Sequence, residues 1–491
     1  MKNSFKQAFV LLLTVVLALS TLGFSASASV KENQVDSSSL LVVFKSESLP
    51  NNVEQLVSDA GGEVTYSVPQ IGIIEVSAEN TGSFLKSIMR NNQVLSVGPS
   101  VEVTLDLPEI NEEAEGQSSP ASIIENIWES GYQWDIEQVT NNGASHGLYK
   151  DARSEVVVGV IDTGFDFNHP DLAANVDLEG SKTFVPGTTD SWDFNSHGTH
   201  VAGTIGADGR MKGVAPGVTL RSYRVFGATG GAQQIWITDA ILAAANDGVD
   251  VINMSLGGTR LLGQWFYTDP ATGEKIRTGN SAADYVAYTR AIRYAVNKGV
   301  TVVGSAGNSA YDLSNPSKVA DTINAGRNDG WEAKGAIKYV PAQIPGVLTV
   351  SSTGAGFGTE NRLAYYSNYG NGAINLGAPG GDLGVNNAGG SKHLVLSAVP
   401  TYLTFNTARG IEAKGLFGDG YGWKGGTSMA APQVAGAAAA YIAKVLEKTG
   451  KKPSPAQVQT KLQQTAVDAG KNGYDELYGH GIVNAHHALL R

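Results

Sequence analysis

The chain of 491 residues contains no cysteine, which removes every thiol mechanism, every cysteine-ligated metal and every disulfide. Its stability must therefore come from the size of its core, with bound ions as a second source. Basic residues are also scarce: 35 Lys and Arg against 46 Asp and Glu leave a net charge of −11 and a pI near 5.3. That balance argues against nucleic acid or an anionic membrane as the main partner. Internal repeats and low-complexity tracts are lacking, and so is any long apolar run beyond the first residues. The last residues, His486-His487-Ala488-Leu489-Leu490-Arg491, form neither a hydrophobic tail nor a basic stop signal. A freely released protein without a membrane anchor is expected.

What is present begins with targeting. Lys2 and Lys6 give a basic start, Ala8 to Leu22 is apolar but short for a span, and Ala26-Ser27-Ala28 fits a small-residue cleavage site. Residues 1–28 thus read as a secretory signal peptide and predict an extracellular protein; the alternative is an uncleaved anchor. After a polar stretch, residues 38–105 carry a compact pattern of strands at Leu40–Phe44, Glu63–Tyr66, Ile71–Val76 and Val94–Val103, with helices at Val53–Ala60 and Thr81–Arg90. This is a small α+β unit. Residues 106–120 follow, with Glu109, Glu112, Glu113 and Glu115 among Gly, Ser and Pro, a composition suited to an exposed linker open to proteolysis.

Residues 121–491 follow a different pattern. Continuous apolar runs at Val156–Ile161, Leu220–Phe226, Val249–Met254, Val300–Gly304 and Val347–Ser351 read as strands buried on both faces. Helical stretches at His200–Gly206, Ile235–Asn246 and Ala282–Asn297 alternate with them, and Ser454-Pro455 opens a helix to about Ala466. The alternation predicts a doubly wound parallel α/β sheet that binds ligands at the carboxyl ends of its strands. Two long polar segments, Thr259–Ser281 and Ser309–Lys338, interrupt it and read as functional surface loops or insertions.

Four residues fall where such a sheet presents chemistry. Ser428 follows two glycines and opens an Ala-rich run to Tyr441; Pro432 requires that helix to begin close by. A helix start leaves N–H groups unpaired and favours negative charge, which suits a nucleophile and an oxyanion; it equally suits a cap on a core helix. Asp162 ends the first strand in Ile161-Asp162-Thr163-Gly164, as a ligand group or a turn former. His197 starts a helix as a base or a structural histidine, and its spacing to His200 also allows a metal pair, though no neighbouring Glu completes a zinc protease pattern. Asn308 closes another strand, as a donor into the crevice or a turn residue. The chain order Asp, His, Ser differs from that of α/β-hydrolases and of chymotrypsin-like proteases.

The segments Val160-Ile161-Asp162-Thr163-Gly164, His197-Gly198-Thr199-His200-Val201-Ala202-Gly203-Thr204, Ser255-Leu256-Gly257-Gly258, Ala306-Gly307-Asn308 and Gly426-Thr427-Ser428-Met429-Ala430-Ala431-Pro432 closely resemble the subtilisin-like serine proteases, or subtilases. The resemblance runs from about Trp134 to the C-terminus. It implies a secreted serine endopeptidase with Ser428 as nucleophile, His197 as base and Asp162 as its orienting carboxylate. Asn308 and the Ser428 N–H would hold the oxyanion. Gly230, Gly231 and Ala232 would form one rim strand for an extended polypeptide substrate, and Ser255, Leu256 and Gly257 the other, with a wall of the first specificity pocket.

The same resemblance makes residues 38–105 a propeptide, an intramolecular chaperone and inhibitor, and so the chain's own partner. Self-cleavage would fall between Thr104 and Pro120, with Leu105, Leu107 and Glu109 as candidates for the residue before the cut. A monomer needing no cofactor for its chemistry is implied. Asp171 matches a family calcium ligand, but the short Ala207–Gly213 loop argues against the usual tight site. The two insertions and the Gln133-Trp134-Asp135 start are similar to subtilases that remove leader peptides from lantibiotics. A general scavenging subtilisin, and a noncatalytic binding protein on the same fold, are the alternatives.

Overall fold

The computed structural model describes residues 35–105, 108, 123–149, 152–268, 272–277, 280–328, 330–355, 362–384, 389–404 and 410–490. The expected signal peptide and nearly all of the acidic linker lie outside them. The N-terminal unit is an antiparallel sheet of β1 (Val35–Phe44), β2 (Glu63–Val68), β3 (Ile73–Ser77) and β4 (Val94–Thr104), backed by α1 (Val53–Asp59) and α2 (Thr81–Ile88). From Leu40 onward β1 is apolar without alternation because both its faces are covered. Leu40, Val42 and Phe44 pack with Val57 and Phe84 of the unit's own helices, whereas Leu41 and Val43 join a core with Ile237 and Ala291 of the larger unit.

That larger unit holds a sheet of seven parallel strands. In chain order they are β5 (Val157–Asp162), β6 (Lys182–Thr183), β7 (Thr219–Arg224), then, after the short β8 (Gly231–Gln233), β9 (Val251–Met254). Beyond β10 (Gly258–Leu261), β11 (Gln264–Thr268) and β12 (Lys275–Arg277) come β13 (Thr301–Ser305), β14 (Trp331–Lys334), β15 (Ile337–Val340), β16 (Val347–Thr353) and β17 (Leu376–Pro379). The spatial order is β17-β16-β13-β9-β5-β7-β6. From β5 the chain steps to β7 on one side, then returns to β9 on the other. The carboxyl ends of β5 and β9 therefore flank the crevice where such a sheet binds ligands. The sheet of the N-terminal unit reaches this crevice: β4 pairs with β8, placing Val103 opposite Ala232 and Thr104 opposite Gly231.

Helices α3 (Trp134–Thr140), α4 (His197–Gly206), α5 (Gln234–Asn246), α6 (Ala282–Asn297), α7 (Pro316–Ala325), α8 (Thr427–Thr449) and α9 (Pro455–Thr465) cover the rest. Helix α8 is long and apolar enough to cross a membrane, but 78% of its most apolar window is buried inside the protein. Its small residues let it run through the core, against α4 and the sheet.

The two polar segments are not structureless loops. They fold on each other into one lobe: β10 pairs with β15, and β11 lies between β12 and β14. Leu261, Tyr311, Val319, Ile323, Ile337 and Tyr339 share its small separate core. Its helix α7 is announced by Asn315-Pro316: the Asn315 side chain accepts the Lys318 N–H and the proline sits in the first turn.

Candidate active site

Asp162 is the last residue of β5, and its carboxylate accepts the Thr163 N–H and faces His197 Nδ1 at 2.8 and 3.0 Å. Both side chains are buried, at 1% and 0% exposure, so the pair works in a medium that strengthens it. A proton on Nδ1 donated to Asp162 leaves Nε2 as the acceptor. Nε2 itself is buried and makes no hydrogen bond among the described residues.

The turn that aims His197 rests on Asp193, which reading the sequence did not single out. Its Oδ1 accepts the N–H groups of Asn195 and Ser196 and the Thr163 hydroxyl; its Oδ2 accepts the Thr199 N–H and hydroxyl. This fully buried carboxylate caps α4 at the end where the helix dipole favours negative charge. It also stabilises Ser196 at φ +97°, a left-handed conformation unusual for serine. The signal in the sequence is an acid just ahead of a helix start. His200 does not join His197 in a metal pair. Its Nε2 donates to the Val395 carbonyl, and burial, with the charges of Lys424 and His197 adding, pushes its pKa well below the usual histidine value. Among the described residues no cluster of three or more His, Asp or Glu side chains forms a metal site.

Ser428 is the second residue of α8, where its N–H has no intrahelical acceptor. Pro432, four residues on, has no N–H to give to the Ser428 carbonyl, and the Ser255 hydroxyl takes that place at 2.7 Å. The exchange is reciprocal: Ser428 Oγ donates to the Ser255 carbonyl at 3.1 Å. Ser255 directly follows β9, so this exchange fixes the start of α8 at the crevice. In this structure the Ser428 hydroxyl thus donates to Ser255 and not to His197, whose Nε2 has no hydrogen-bond partner among the described residues. Asn308, just after β13, is fixed from one side: its Oδ1 accepts the Thr427 N–H at 2.8 Å and hydroxyl at 2.9 Å. The Nδ2 donors then point the other way, 3.7 Å from where a Cβ on Gly426 would stand. Gly426 has φ +148°, and the same Cβ would meet Pro108 Cδ at 3.4 Å. Asp162, His197, Ser428 and Asn308 therefore gather at the carboxyl edge of β5, β9 and β13.

The candidate rims differ. Gly231 and Ala232 pair with β4, next to Gly230 at φ +90°, whereas Ser255–Gly257 has no strand partner among the described residues. Leu256 points into the core. Asp171 is occupied by protein donors: the N–H groups of Arg210 and Met211 and the Tyr421 hydroxyl. The Arg210 guanidinium then ties this loop to the carbonyls of Ile124, Glu125 and Phe417 and lies over the Tyr421 ring. Gln133, Trp134 and Asp135 bind Lys212, the Leu394 carbonyl and Gln433 of α8.

Residues 153–481 match the subtilase (peptidase S8) family. The epidermin leader peptide-processing serine protease of Staphylococcus epidermidis is 29% identical over 444 residues, 87% of this chain and 88% of that protein. The nisin leader peptide-processing serine protease of Lactococcus lactis subsp. lactis is 32% identical over 278 residues, 54% of this chain and 38% of its own. The crystal structure of the epidermin leader peptide-processing protease from Staphylococcus aureus superposes with a TM-score of 0.69 at 27% identity, covering 92% of this chain and 97% of the other.

Proposed function

The chain belongs to the subtilase family of serine proteases, and we propose that it is an extracellular endopeptidase, made as a self-processed zymogen, that removes leader peptides from lantibiotic precursors. The observation that carries the catalytic part is the buried Asp162–His197 pair at the same sheet edge as helix-start Ser428, with Asn308 turned by Thr427. Ser428 Oγ attacks the substrate carbonyl carbon as His197 Nε2 takes its proton, and Asp162 stabilises the imidazolium through Nδ1. The carbonyl oxygen becomes an oxyanion held by the Ser428 N–H and the Asn308 side chain. Collapse breaks the C–N bond, the imidazolium protonates the departing amine, and an acyl-enzyme on Ser428 remains. Water, deprotonated by the same imidazole, then releases the acid. No metal or cofactor enters these steps. The calcium candidate Asp171 accepts hydrogen bonds from protein donors, which supports a reading without calcium there.

Three features support the zymogen. Strand β4 runs along the substrate rim to Thr104, and Pro108 lies against Gly426, two residues before Ser428. These two contacts support a maturation bond between Leu105 and Pro108, with Glu109 then on the leaving side; Asp106, Leu107 and Glu109 lie outside the described residues. Finally, the N-terminal unit is held by Arg290 of α6, whose buried guanidinium donates to the carbonyls of Phe44 and Ile71, both at 2.8 Å, and by Tyr66, whose hydroxyl donates to Asp239 at 2.7 Å. Leader processing is supported by the two leader-processing relatives and by the lobe placed directly after Gly258 and Asn308. The test is a comparison of a lantibiotic precursor with casein. One cut at the leader junction with casein largely intact is the expected result; casein digestion with no such cut contradicts leader processing, and no hydrolysis of either contradicts the peptidase reading.

A further inference from the structure

We infer that Tyr339 fills much of the pocket that receives the substrate side chain just before the scissile bond, and so restricts that position to short residues. The inference rests on the endopeptidase reading above. By the subtilase resemblance this pocket lies between Ser255–Gly257, after β9, and Ala306–Asn308, after β13, two neighbouring strands of the sheet. Each wall presents a glycine to the gap. A Cβ on Gly257 would stand 2.6 Å from Tyr339 Cε1, and one on Gly307 would stand 2.5 Å from Tyr339 Cζ. One ring therefore touches both walls at once, where van der Waals contact leaves no room for even a methyl group. Gly307 adopts φ +99° and is followed directly by Asn308, so the ring lies one residue from the proposed oxyanion donor.

The ring is not free to swing away. Tyr339 belongs to β15 of the lobe, opposite Thr259 in β10. Its N–H donates to Gln343 Oε1 at 2.9 Å, and its carbonyl accepts the Gln343 N–H at 2.8 Å. At 3% exposure it packs among Leu261, Tyr311, Leu313 and Ala342. A Leu, Phe or Arg entering from the cleft would have to displace a buried aromatic held by this lobe. Gly, Ala and Ser need no such movement. The lobe thus acts on selectivity without supplying a group to the reaction.

The experiment is a peptide library varied at the residue before the cut, run with the processed wild-type enzyme and with Tyr339→Ala and Tyr339→Phe, each normalised by titration with a serine-reactive phosphonate. The wild type should favour Ala or Ser over Leu and Phe by about tenfold or more in kcat/KM, the scale on which a pocket discriminates size. Tyr339→Ala should raise the Leu-to-Ala ratio by about tenfold or more, and Tyr339→Phe should leave it in place. A wild type that prefers Leu, Phe or Arg overturns the assignment, and does so even if Tyr339→Ala fails to accumulate. An unchanged ratio in a titratable Tyr339→Ala enzyme overturns it as well. Hydrolysis after large residues sinks only the pocket; absence of Ser428-dependent hydrolysis sinks the peptidase reading with it.

Discussion

The floor of the cleft and the lobe beside it are held by different forces. On the floor, Asp162, His197 and Ser428 are all but inaccessible, and each is fixed by backbone groups or short side chains: Thr163, the Asp193 cap, the Ser255 exchange. The lobe has its own small core, but its outer sheet relies on large and charged side chains in water. Trp265 meets Trp331 edge to face at 6.4 Å, Arg327 lies over Trp265, and Lys275 pairs with Glu332. On the proposed function, chemistry is placed by the sheet, while substrate selection falls to an element that can vary without disturbing it. Tyr339 is where the second meets the first.

Substitutions on the floor should separate sharply from those in the lobe. The largest effect is expected at Asn308→Ala: a fall in kcat of about a hundredfold to a thousandfold with little change in KM, as befits a donor used only in the transition state. Steady-state kinetics on one peptide settle this, and a rise in KM at unchanged kcat would place Asn308 in ground-state binding instead. Below the floor, Arg210→Ala removes hydrogen bonds to three carbonyls, two of them at 2.7 and 2.9 Å. A loss of about 2 kcal/mol is expected, seen as a lower Tm at unchanged kcat, with a calcium chelator leaving the wild-type Tm where it was. A chelator-induced fall matching that of Arg210→Ala would restore calcium to this loop.

Asp135→Asn probes the same foundation through pH. Burial pushes the Asp135 carboxyl up to about 7, although Gln433 donates to it and pulls the other way. A group whose folded pKa lies above its unfolded value near 3.8 contributes stability at low pH and loses it as pH rises through the folded pKa. Asparagine can accept from Gln433 as Asp135 does and donate to the Gln433 oxygen, which now has no partner. The advantage of Asp135→Asn in Tm should therefore grow from pH 4 to about 7 and level off above. A pH-independent difference would show Asp135 ionised throughout. Smallest of all is Lys275→Ala in the lobe, an exposed pair, for which unchanged kcat and a Tm within error are expected. A fall in kcat there would break the separation between floor and lobe.

How much of this was legible follows the same division. The strand ending in Asp162, the glycines before Ser428 and the proline after it each state their geometry locally, through apolar run length, helix-start chemistry and the missing proline N–H. The edge of the sheet could be read because these signals converge on it. Asp193 was harder, since a carboxylate that caps a helix by reaching Thr163 depends on two segments. The lobe shows in the sequence only as two polar segments, because strands that expose one face look like loops until their partners β14 and β15, 64 to 82 residues away, are known. Asn315-Pro316 was the one local signal for its helix. Tyr339 carried none: a buried tyrosine on a short strand reads as core, and its place between Gly257 and Gly307 arises only when three strands are assembled.

The central claim is that Ser428 cuts this chain at its own cleft, and intact-mass measurement of the secreted wild type beside Ser428→Ala tests it most directly. The wild type should separate into an N-terminal fragment and a mature chain starting between Asp106 and Pro108, while Ser428→Ala keeps the two joined. The same cut in both proteins, or an uncut wild type, would contradict it.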